Sequence, residues 1–96
     1  MKDDNQIIGD ILFKAFSDAS IIYKKSNYPH LKKEDHETIK SLYRNIEASV
    51  KINIDLNYPN FNIKKIRPLN ILDTFLQREH GIKFTREEIE KILNEK

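Results

Sequence analysis

The sequence predicts an all-α domain, an antiparallel four-helix bundle, on three observations. Apolar residues recur at spacings of three and four in four separate segments. Pro68, Gly81 and the Thr85–Glu88 pair punctuate the second half as helix starts and stops. Ninety-six residues are enough for one modest core, so residues 1–96 read as a single domain.

The first helix carries Ile8, Ile11, Leu12, Ala15, Ala19 and Ile22 on one stripe, widened by Phe16 and Tyr23. Asp3 or Asp4 can cap its start, and its pattern fades between Ser20 and Lys25. Gly9 costs about 1 kcal/mol against Ala inside a helix, so a neighbour approaches there or the first turn is weak. Ser26-Asn27-Tyr28-Pro29 breaks the chain with turn residues. The second helix begins near Lys33 to Asp35 and presents Ile39, Leu42, Tyr43, Ile46 and Val50. Its wet face holds Lys40, Arg44, Glu47 and Lys51.

The stretch 51–64 supports two readings. Val50, Ile52, Ile54, Leu56 and Tyr58, then Phe61 and Ile63, alternate as in a short β-hairpin turning at Asn57 to Asn60. The other reading extends the second helix to about Asn53 and follows it with an irregular loop, which the four Asn residues favour. The third helix starts at Pro68 and turns Leu69, Leu72, Phe75 and Leu76 inward, with Gly81 just past its end. The fourth follows the Thr85–Glu88 capping box, with Phe84 and Ile89 at the positions of a hydrophobic staple. Its inward residues are Ile89, Ile92 and Leu93, and the pattern runs on to Lys96.

No segment can bury its stripe alone, so the four pack together. The short Gly81–Thr85 link makes helices three and four antiparallel neighbours. The expected core is Ile8, Ile11, Leu12, Ala15, Ile39, Leu42, Ile46, Leu69, Leu72, Leu76, Ile89 and Leu93.

Composition narrows the function by exclusion. There is no Cys, which removes disulfides, thiolate zinc sites and cysteine nucleophiles. His30, His36 and His80 lack the four-residue pairing of a helical metal site, so no metal ligand is assigned. Glu34-Asp35-His36-Glu37 reads as a solvated acidic helix start, because consecutive helical residues diverge. Two glycines cannot build a phosphate loop, and no nucleophile–base set can be assembled. The sequence therefore reads as a non-enzyme without cofactor or small-molecule substrate. Seventeen basic against fifteen acidic residues leave +2, too even to imply nucleic-acid binding. Lys64-Lys65-Ile66-Arg67 is basic, yet Glu87, Glu88, Glu90 and Glu95 on the last helix would repel phosphate. The opening residues lack the pattern of a signal peptide and no apolar run could span a bilayer, so a cytoplasmic protein is expected.

Two stretches carry a resemblance. They are Gln6-Ile7-Ile8-Gly9-Asp10-Ile11-Leu12, and Pro68-Leu69-Asn70-Ile71-Leu72-Asp73-Thr74-Phe75-Leu76 leading through Gly81-Ile82-Lys83-Phe84-Thr85-Arg86-Glu87-Glu88. Their order resembles the immunity proteins of class IIa (pediocin-like) bacteriocins. In that family a Pro-Leu helix start leads, through a Lys-containing link ending in Phe-Ser or Phe-Thr, to an acidic last helix. The resemblance implies a left-turning antiparallel four-helix bundle that protects a bacteriocin producer from within. It also implies a protein partner, the mannose phosphotransferase permease engaged by bacteriocin. Because family specificity lies in the carboxy-terminal half, it points to Arg78, Lys83 and Arg86 as partner contacts. The alternating stretch from Ile52 to Ile63 departs from the family pattern. The competing expectation is a small helical regulator or adaptor, of phage or plasmid type, binding another protein or a nucleic acid.

Overall fold

Asp3 opens the first helix by a reciprocal cap: its carboxylate accepts from the Gln6 N–H, and the Gln6 side chain accepts from the Asp3 N–H. The computed structural model describes residues 2–95. It contains α1 (Asp4–Tyr23), α2 (His36–Asn57), α3 (Pro68–His80) and α4 (Arg86–Leu93), with a single 3₁₀ turn at Ile63–Lys65. Among the described residues there is no strand, and the fold is the all-α four-helix bundle expected.

Side-chain bonds record the helix directions. Asp10 on α1 accepts from Tyr58 just after α2 at 2.7 Å, Asp18 accepts from Ser49 at 2.7 Å, and Tyr23 meets Ser41 at 3.0 Å. Numbers rise on α1 as they fall on α2, so the two run antiparallel. The Phe16 and Phe75 rings meet edge to face at 5.4 Å, and His80 Nε2 lies 2.7 Å from the Tyr23 carbonyl. Thus α3 runs beside α1 in the same direction and opposes α2.

The stretch 51–64 follows neither sequence reading in full. Residues 51–57 are helical, and α2 ends only at Asn57, beyond Asn53. The cause lies inside the alternation. Every second residue of Val50, Ile52, Ile54 and Leu56 is also four apart, so a helix buries Val50 and Ile54 and turns Ile52 and Leu56 outward. Ile54 prolongs the buried line Ile39, Leu42, Ile46 and Val50 by one turn. Only then does the chain become irregular, with the Asn62 side chain capping the 3₁₀ turn and Ile66 buried before Pro68.

Two further expectations need correction. Leu12 is not core: it stays 38% exposed, because α1 buries the line Ile11, Ala15, Ala19 and Tyr23, and Leu12 sits a quarter-turn away from it. Ile8, Leu69 and Leu93 are only partly buried and pack at the margin. Nor are α3 and α4 close neighbours. The main helix contact of α4 is with α2, while its first residues lie beside α3 across a small cavity. Ile82 and Phe84 in the link are themselves buried, so link side chains take core positions that direct α3–α4 packing would fill. Gly81 makes this path possible. At φ 65° it lets the N–H groups of Gly81 and Ile82 turn back to the Gln77 and Leu76 carbonyls.

Candidate functional site

The three cations singled out from the sequence are all exposed. Arg78, in the last turn of α3, lays its guanidinium over the Phe16 ring, 5.7 Å from the centroid. Arg86 opens α4, where it donates to Asn70 Oδ1 at 3.5 Å and lies 3.8 Å from the Glu90 carboxylate. Lys83 projects from the link between buried Ile82 and Phe84, whose anchoring fixes its backbone. It has no ion pair among the described residues. Arg78 rests on Phe16 of α1, Arg86 on Asn70 and Glu90, and Lys83 on neither, so the three are distributed along α3, the link and α4 with different neighbours.

The fourth helix is positioned by its cap. Thr85 accepts from the Glu88 N–H at 3.2 Å, and the Glu88 carboxylate accepts from the Thr85 N–H at 2.9 Å. That backbone bond holds the Glu88 carboxyl below its ordinary titration range, helped by Lys33 at 3.4 Å. Lys33 also lies over the Phe84 ring at 5.2 Å, tying the segment before α2 to the link. At the other end of α4, His36 Nδ1 lies 3.0 Å from the Glu95 carboxylate and lowers its pKa, with Lys40 3.6 Å away. The Lys40 side chain is largely buried and also meets Glu37 at 3.3 Å.

Sequence reasoning missed several of these residues. Nothing in the spacing of Lys33, His36 and Lys40 announces that they clamp α4, because their partners lie more than fifty positions away. Asp73 was likewise passed over. Its Oδ1 is buried without a hydrogen-bond partner, beside a cavity of about 60 Å³ lined by Asn70, Thr85 and Arg86. Its place between Leu72 and Phe75, at the border of the apolar stripe, is the signal that could have found it.

The described residues hold no group of three or more His, Asp or Glu side chains placed to bind a metal ion. No described helix is long and apolar enough to cross a membrane. Surface chemistry here consists of scattered cations, the carboxylates of α4 and exposed apolar side chains on a helical frame. That arrangement can recognise another macromolecule by shape and charge. No family model, curated protein or solved structure matches the chain.

Proposed function

We propose that the chain is a cytoplasmic immunity protein of the pediocin-like type, protecting a bacteriocin-producing cell by docking onto a protein partner. The observation that carries the reading is the surface of α3, the link and α4, where Arg78, Lys83 and Arg86 stand exposed on anchored backbone. The four-helix architecture and the motif order around Pro68 and Gly81 support it. The partner, by resemblance, is the mannose phosphotransferase permease held open by bacteriocin, and the protein blocks the lethal opening. No cofactor and no catalytic step enter this reading. Affinity comes from apolar contact framed by charge, and charge sets which partner is accepted.

The test is survival. Expression in a sensitive strain challenged with a panel of class IIa peptides should raise the lethal dose for at least one peptide. The triple variant Arg78→Ala, Lys83→Ala, Arg86→Ala should lose that protection while keeping its helical circular-dichroism signal. Unchanged killing across the panel sinks the proposal.

A further inference from the structure

We propose that the outward face shared by α1 and α2 docks on an anionic lipid surface. The seam between the two helices is marked by Asp18, which accepts from Ser49 at 2.7 Å. Three residues on from each of these, and turned away from the core, stand Ile21 at 71% exposure and Ile52 at 57%. Leu56, one turn beyond Ile52, is 75% exposed, and exposed Ala48 continues the line at the same spacing. Among the described residues, α3 and α4 leave no large hydrophobic side chain exposed. The apolar surface therefore lies on one side of the molecule.

Charge on that side is positive. The seam carboxylates Asp10 and Asp18 are each met by a lysine, Lys2 and Lys14. Arg44 and Lys51 stand on the outward face of α2, and Lys24 and Lys25 follow the end of α1 beside Ile21. All four are exposed and have no ion pair among the described residues, and Asp55 is the one acid placed among them. Glu47 lies beside Tyr43 on the other flank of α2. Helix α4, with three Glu against Arg86 and Lys91, also lies away from this face, on the flank that carries His36 and Lys40. A negative surface thus attracts the α1–α2 side and repels the α4 side. The form of the apolar surface selects lipid. Its side chains rise singly from the helices, so a rigid protein needs a matching hole for each, whereas a fluid headgroup boundary closes round them. Nucleic acid gains from the cations but not from exposed isoleucine and leucine, because its phosphates are met by charge and its bases by stacking. Arg78, Lys83 and Arg86 take no part, so the inference does not rest on the permease.

The test is flotation of the full chain with two kinds of vesicle, phosphatidylcholine alone and phosphatidylcholine mixed equally with phosphatidylglycerol. Binding is expected to the anionic vesicles only, weakening about tenfold or more as salt rises from about 50 to about 500 mM. Each cation near such a surface is worth about fivefold, so Lys24→Ala with Lys25→Ala should weaken partitioning about 25-fold. Ile52→Ser with Leu56→Ser should weaken it about tenfold or more. Both pairs should melt near the parent because the side chains are exposed, and Lys91→Ala on α4 should bind as the parent does. Absence of flotation with the anionic vesicles overturns the proposal, as does flotation that neither pair of substitutions weakens. Displacement by a DNA duplex, with Ile52→Ser and Leu56→Ser without effect, overturns it in favour of phosphate recognition by charge alone. Vesicle binding without protection in the bacteriocin challenge would sink the permease reading and leave this one standing.

Discussion

Thr85 illustrates how a single side chain sets an element in place. Its hydroxyl and the Glu88 carboxylate satisfy two N–H groups that would otherwise end α4 unpaired. With eight residues, α4 is too short to persist on propensity alone. Thr85→Ala should therefore cost about 1 kcal/mol, read as a lower urea midpoint. The effect should be visible also as faster amide exchange at Ile89 and Glu88. Tyr23 plays the comparable part for α1. Its buried hydroxyl is 3.0 Å from Ser41 Oγ and accepts from Asn45 Nδ2 at 2.6 Å, while its ring stacks on Tyr28 at 5.4 Å. One residue thereby joins the end of α1 to α2 and to the connection between them.

At the scale of the element, α1 and α2 each carry a test of the argument made for them. Gly9 lies in α1 with space where its side chain would be, so Gly9→Ala should stabilise the dilute protein by about 0.5–1 kcal/mol. A rise in the thermal midpoint of a few degrees checks it. For α2 the decisive pair is Ile54 and Leu56. A helix through Asn57 buries the first to 4% exposure and leaves the second at 75%. Ile54→Ala should cost about 2–5 kcal/mol, and Leu56→Ala less than about 0.5 kcal/mol. A hairpin, with period two, would put both on one face and make the two losses similar. Urea melts of the two variants separate these cases.

For the whole molecule, stability rests on a core shared by all four helices and the link. Leu72 and Leu76 are fully buried among them. Truncation of either to Ala should cost about 2–5 kcal/mol, a large part of the 5–15 kcal/mol expected for a domain of this kind. Both variants should melt far below the parent. Charge adds a second global property. Hydrogen bonds from Lys2 and Tyr58 hold Asp10 below its ordinary pKa, the Thr85 N–H does so for Glu88, and His36 does so for Glu95. At Asp18, burial pushes upward, but bonds from Ser49 and Lys14 outweigh it. Each carboxyl binds its proton more weakly folded than unfolded. Their stabilisation is present above the unfolded value, about pH 4, and is lost as pH falls through the folded values. Urea midpoints should stay nearly level from pH 7 to about pH 5 and decline below about pH 4.

Much of this was legible along the chain. Four helices, their caps at Asp3 and Thr85, the stop at Gly81 and the staple of Phe84 and Ile89 all follow from local chemistry: a side chain reaches its own backbone, or periodicity selects a face. The exposure of Arg78, Lys83 and Arg86 was legible for the same reason, since charged side chains stay in water unless paired. What lay beyond the sequence was every choice between patterns that local rules leave equal. The alternation from Val50 to Leu56 fits a strand or half of a helix face, and the helix is the form that carries Val50 and Ile54 together into the shared core. Leu12 satisfies the stripe of α1 as well as Ile11 does, yet the core closes over one and leaves the other at the lip of a groove. The seat of α4 buries Ile89 and Ile92 and brings Glu88 and Glu95 to Lys33, His36 and Lys40 across more than fifty residues of chain. Periodicity says that a side chain must be buried somewhere; only assembly of the helices decides against what, because burial is a property of the neighbours and not of the residue.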